Sequence, residues 1–123
     1  MKELSAGKLV EKKSRFYAHL YHIDHPDELT TIISIHRTKY KKANHHCYAF
    51  RCTQDQVFIE RCSDDGEVGH PGKILLELCK QHNLENHVLV VSRIFGGIKL
   101  GVGGVSRSFR DAGNAVIDYM RSK

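Results

Sequence analysis

A chain of 123 residues, 41% hydrophobic and 27% charged, has the composition of one globular domain and no room for a separate catalytic domain. With two prolines, no low-complexity tract and no apolar run near the roughly eighteen residues of a membrane span, long disorder and a membrane helix are both excluded. A formal charge of +5 favours polyanionic partners while also serving solubility, and because residues 1–7 lack a signal peptide's apolar core the chain reads as cytoplasmic.

Leu9 and Val10, then residues 15–21, predict two short strands joined by the charged turn 11–14, a hairpin. From Pro26, with Asp27 and Glu28 in the first turn, Leu29, Ile32, Ile33, His36 and Tyr40 recur at helical spacing and predict a buried stripe. Residues 46–50 and 57–59 are β-rich runs around the polar segment 53–56, a second hairpin, and the acidic Asp64-Asp65-Gly66-Glu67 follows at once. Pro71 opens a helix whose Ile74, Leu75 and Leu78 face inward, ending near His82 and Asn83. Residues 88–91 read as a strand buried on both faces. Val105, Phe109, Ala112, Val116 and Met120 then predict a long final helix with Arg107, Arg110 and Asp118 elsewhere on its surface. The order is ββαββαβα, and its simplest packing is an α+β two-layer sandwich with the helices on one side of a mixed sheet.

The segment between the last strand and the last helix is the most informative chemically. Arg93, Gly96, Gly97, Lys99, Gly101, Gly103 and Gly104 combine glycines that permit close backbone approach with two cations and a helix start. The amides opening a helix carry about half a positive charge, which suits phosphate or carboxylate. The segment is not a Walker loop, because Lys99 is followed by Leu100, and no third glycine completes a dinucleotide fingerprint at Ser106. What remains is an anion site flanked by Arg93, Lys99 and Arg107, or a glycine-dependent chain reversal.

A second basic cluster, Arg37, Lys39, Lys41 and Lys42, lies beside His36, His45 and His46, and is either a solvated helix end or a contact for nucleic acid or an acidic partner. In the acidic loop, Asp64, Asp65 and Glu67 could ligate magnesium, or could pair with Arg93 or Lys99 and latch the glycine loop. The four cysteines contain no CxxC pair and read as reduced, packed thiols. His46 is the candidate histidine for a pocket, but zinc at His45-His46-Cys47 is disfavoured, since strand alternation sends Cys47 to one face and His46 and Cys52 to the other.

Four ordered motifs carry a resemblance over most of the chain: Lys13-Ser14-Arg15-Phe16, residues 45–50, residues 63–67, and the run from Arg93 to Gly104. They resemble the IMPACT family, whose domain is shared by eukaryotic IMPACT and bacterial YigZ-like proteins. The resemblance implies the fold of elongation factor G domain IV and a small-subunit ribosomal protein, which often meets RNA but sets no function alone. It also implies a loose association with translation or RNA. Residues 1–123 read as one such domain, a short form without the partner-binding or ferredoxin-like domain of longer relatives. Two positions depart from the family's pattern: the 68–72 segment, Val68-Gly69-His70-Pro71-Gly72, and Ile94-Phe95 in place of an aromatic pair.

Three functions follow as expectations. The first is a non-enzymatic RNA- or ribosome-associated regulatory domain, with phosphate contacts from Arg93, Lys99, Arg107 and the 37–42 region and no resident cofactor. The second is a magnesium-assisted enzyme or binding protein for a phosphorylated small molecule. The third is a protein-protein adaptor, including one with a partner in translation control.

Overall fold

A computed structural model describes all residues 1–123. Eight elements follow in the expected order: β1 (Lys2–Glu11), β2 (Ser14–His22), α1 (Glu28–Lys39), β3 (His45–Gln54), β4 (Val57–Ser63), α2 (Pro71–Gln81), β5 (His87–Ile94) and α3 (Gly101–Arg121). Both hairpins close through two-residue turns whose central residues have positive φ: Lys12 and Lys13 in one, Asp55 and Gln56 in the other. That geometry matches the right-handed twist of the strands it joins. β1 runs much longer than Leu9 and Val10 alone suggest, because it pairs with β2 from Lys2 to Glu11 as an edge strand.

The five strands lie in the order β1-β2-β5-β3-β4, and all four pairings are antiparallel. The α+β sandwich is as expected, but the mixed sheet is not. β2 and β3 do run in the same direction, yet β5 inserts between them and replaces one parallel contact by two antiparallel ones.

The helices also divide between the faces instead of sharing one side. Leu75, Leu78 and Cys79 of α2 and Val105, Phe109, Ala112, Val116 and Ile117 of α3 cover Phe16, Ala18, Leu20, Cys47, Ala49, Leu89 and Val91. Phe16 meets Phe109 edge to face, with ring centroids 5.2 Å apart. Each fully buried side chain of this size contributes about 1.5–3 kcal/mol. On the opposite face, Ile32 of α1 joins Tyr21, Phe50, Cys52, Val88 and Val90. Alternation along β5 explains both cores: Leu89 and Val91 face one way, Val88 and Val90 the other, so the central strand needs cover on both sides.

Candidate functional site at one end of the sheet

Antiparallel register brings the start of β2, the start of β3 and the end of β5 to one end of the sheet, with Arg15 opposite Ile94 and His45 opposite Arg93. The glycine-rich segment leaves β5 there and turns back into α3. Gly97 and Gly101 adopt φ of +89° and +73°, conformations glycine tolerates best. Gly96 serves a different purpose. A Cβ at Gly96 would lie 2.1 Å from the carbonyl carbon of Lys13, so the loop rests on the β1–β2 turn through bare backbone. Gly103 and Gly104 already lie in the first turn of α3.

Of the two roles the sequence left open for Arg93, phosphate contact or pairing with the acidic loop, the structure shows the pairing. Its side chain is 8% exposed, and its Nη1 donates to Glu67 Oε2 at 3.0 Å, where Glu67 is 3% exposed. Nη2 donates to Ser14 Oγ at 3.4 Å, and the guanidinium packs over the rings of Phe16 and Phe95. A cation buried this deeply needs a carboxylate partner, and the acidic loop supplies it. Only Nε of this side chain is left buried without a hydrogen-bond partner.

The other carboxylates of the loop diverge. Asp64 Oδ1 accepts from the Gly72 amide at 2.8 Å and so caps the first turn of α2. Asp65 Oδ2 accepts from the His46 amide at 2.8 Å, and the Asp65 carbonyl bonds His45 Nδ1 at 2.8 Å. Magnesium ligation by Asp64, Asp65 and Glu67 needs converging oxygens, whereas these three point to three different protein donors, and no group of three His, Cys, Asp or Glu side chains is placed to hold a metal ion. The 68–72 segment ties the loop to the last helix, since Ser106 Oγ donates to the Gly69 carbonyl at 2.9 Å.

A cleft of about 620 Å³ opens above the Arg93–Glu67 pair. Lys99, Arg93, His45 and Asn44 line it together with Val68, Phe95, Leu100, Gly101, Val102 and Val105, so its walls are largely apolar. Arg107 lies elsewhere, in a separate depression of about 330 Å³ lined also by Glu11, Lys12 and Asp111.

The second basic cluster forms a groove of its own on the α1 face. Lys41 and Lys42 line an opening of about 600 Å³ together with Arg15, Lys39, Tyr17 and Tyr40. The Tyr17 and Tyr40 rings stack at 4.4 Å with 19° between planes, and Lys8 and Lys39 approach those rings. Arg15, Tyr17 and Tyr40 escape a purely sequential reading because they come from β2 and the end of α1. Arg37 is outside the groove lining, close enough to His46 to help hold its imidazole neutral.

His46 does not belong to the cleft. Strand parity turns its side chain under α1, where Nδ1 bonds Ser92 Oγ at 2.7 Å, while its neighbour His45 lines the cleft. Ser92 also meets His36 Nδ1 at 3.0 Å, and His36 Nε2 meets the Tyr21 hydroxyl at 3.0 Å. Glu3, His19 and Tyr40 form a second set of polar contacts beside it, the His19 ring meeting that of His36 edge to face at 4.6 Å. Burial, reinforced by His19, His46 and Lys39, pushes the His36 pKa down to about 3. The clustering of three histidines under one helix had no signal in the sequence, as they come from β2, α1 and β3.

Residues 12–117 match the family described as the Impact N-terminal domain. The chain is 36% identical over 110 residues to IMPACT family member YvyE of Bacillus subtilis (strain 168), covering 89% of this chain and 50% of that one. It is 37% identical over 97 residues to Protein IMPACT of Homo sapiens, covering 76% of this chain and 30% of the human protein. The chain thus spans at most about half the length of these relatives. Among solved structures, one described only as a hypothetical protein superposes with a TM-score of 0.83 at 30% identity, covering 93% of this chain and 56% of its own. The two-domain translational regulator Yih1 superposes with a TM-score of 0.64 at 24% identity, covering 96% of this chain and 46% of its own, which establishes a common fold. No helix is long and apolar enough to cross a membrane.

Proposed function

The chain belongs to the Impact N-terminal domain family, and on that premise we propose that it is an RNA- or ribosome-associated regulatory domain linked to translation. The observation that carries this reading is the groove in which Arg15, Lys39, Lys41 and Lys42 surround a stacked Tyr17–Tyr40 pair. Cations in that arrangement track a phosphate backbone, and the half-buried ring pair between them offers an aromatic edge for an unstacked base. Arg37 on α1 and Lys99 in the glycine segment extend the positive surface toward the same end of the sheet. The name of the Yih1 neighbour and the IMPACT relatives support the setting in translation control.

Fluorescence anisotropy with a labelled single-stranded oligouridylate tests the reading. Binding weakens as salt rises from about 50 to 200 mM, with a logarithmic slope of about −0.7 for each phosphate neutralised. Replacing Arg15, Lys41 and Lys42 together by alanine makes that slope shallower by about 2. Salt-insensitive binding, or an unchanged affinity in the triple variant, overturns it.

A further inference from the structure

Helix α1 grips the sheet with few side chains. Of its 12 residues only Ile32 and His36 are buried, whereas α2 buries five and α3 seven. Leu29 and Ile33 pack beside Ile32 in the first half of the helix. In the second half, from Ser34 to Lys39, the sole buried anchor is the His36 imidazole.

The elements around that ring bring neutral or basic groups to it and no carboxylate. β2 places the Tyr21 hydroxyl 3.0 Å from Nε2 and the His19 ring against the His36 ring; β5 places Ser92 Oγ 3.0 Å from Nδ1. β3 adds His46, whose Nδ1 meets the same Ser92 oxygen at 2.7 Å, and α1 itself adds Lys39 and the Tyr40 ring. Carboxylates serve the neighbours instead: Glu3 meets His19, and Asp65 favours a charge on His46 that Arg37 and His45 oppose. The one arrangement that gives both hydroxyl hydrogens an acceptor has Tyr21 donating to His36 Nε2, His36 Nδ1–H donating to Ser92, and Ser92 donating to His46 Nδ1. A proton added to His36 Nε2 or to His46 Nδ1 turns one of those hydroxyls away from its acceptor, and neither hydroxyl has another.

We infer that α1 is a proton-released helix: in acid it leaves the sheet as a unit while the opposite face stays packed, and the Tyr17–Tyr40 groove comes apart with it. Docked, His36 stays neutral down to about pH 3; released into water, it protonates near its ordinary 6.5. The released state therefore binds more protons between those values, so docking is complete above about 6.5 and weakens as pH falls, by up to about tenfold per pH unit for this group. The two faces separate because α2 and α3 share no buried core residue with α1. The groove depends on α1 because Lys39 and the following Tyr40, Lys41 and Lys42 move with the helix, whereas Arg15 and Tyr17 remain on β2. Loss of RNA in acid rests on the function proposed above; release of the helix does not. The sign is diagnostic, since extra positive charge alone would tighten binding to phosphates.

Each face carries its own reporter thiol. Cys52 lies in the core under α1, Cys47 and Cys79 lie in the core under α2 and α3, and Cys62 is exposed. Labelling of the intact chain with 4,4′-dithiodipyridine, a thiol reagent that works in acid, is mapped to each cysteine by mass spectrometry. Between pH 7 and pH 5 the rate at Cys52 relative to Cys62 rises at least about tenfold, while those at Cys47 and Cys79 do not. His36→Gln flattens the rise, and the comparison of the four thiols in the unaltered chain decides the matter if that variant does not fold. A Cys52 rate that stays level, or that rises only together with Cys47 and Cys79, overturns the proposal. Labelled oligouridylate bound at pH 7 is released over the same range. Tighter binding at pH 5 with Cys52 reactive overturns the control of the groove, whereas no binding at either pH overturns the RNA reading and Cys52 still decides the release of α1.

Discussion

Arg93 at the end of β5 and Glu67 in the acidic loop form an ion pair of 3.0 Å with both side chains under a tenth exposed. The pair joins the central strand to a loop that also caps α2 and holds the start of β3, so three elements depend on one contact. His45 Nε2 lies 3.7 Å from the same Glu67 oxygen.

Breaking that pair from one side strands a charge in the interior. Glu67→Gln is expected to cost about 3–5 kcal/mol in urea unfolding, whereas replacing both partners, Glu67→Leu with Arg93→Met, costs much less. A double variant no more stable than Glu67→Gln would show that the carboxylate matters for something other than compensating Arg93.

Acidification should destabilise the chain through His36. The folded state keeps this imidazole neutral down to about pH 3, while the unfolded chain protonates it near its ordinary 6.5. Between those values the unfolded state binds more protons, so stability is complete above about 6.5 and is lost as pH falls through the window, by up to about 1.4 kcal/mol per pH unit. Urea unfolding midpoints measured from pH 7 to pH 5 check this, and His36→Gln makes their decline shallower.

Two glycines of the same segment should respond oppositely to alanine. At Gly96 the new Cβ meets Lys13 backbone at 2.1 Å, and backbone cannot swing aside as a flexible side chain does. A loss of about 1–3 kcal/mol follows. At Gly103, nothing lies within 4 Å and the residue is helical, so alanine raises stability by about 0.5–1 kcal/mol. Thermal melts of the two variants give shifts of opposite sign.

Native thiol labelling should find one fast site. Cys62 is exposed, whereas Cys47, Cys52 and Cys79 are buried, and burial pushes the Cys79 thiol up to about 12. An Ellman assay is expected to titrate Cys62 rapidly and the other three only after denaturant is added, and Cys62→Ser removes the fast phase.

Much of the fold was legible because the signals are local. The period of Val105, Phe109, Ala112 and Val116 specifies α3 wherever it packs, and Pro71 marks the first turn of α2 without knowledge of its neighbours. Parity along β3 was legible for the same reason: Cys47 enters the core under α2 and α3, and Cys52 the core under α1. The site was less legible. Arg93 and Lys99 look equivalent in sequence, but one is buried against Glu67 and the other stays exposed at the cleft. The basic groove combines Arg15 with Lys39 and Lys42 through strand register, which no spacing encodes.

The amino-acid sequence by itself determined the eight elements, their order and which residues of each are apolar, since turn chemistry and hydrophobic period act over a few residues. Only the tertiary structure decided that β5 enters between β2 and β3, that α1 crosses to the face away from α2 and α3, and that Glu67 claims Arg93. Those choices join residues far apart in the chain, where burial of both faces of β5 and the cost of an unpaired interior cation, rather than local propensity, select the partner.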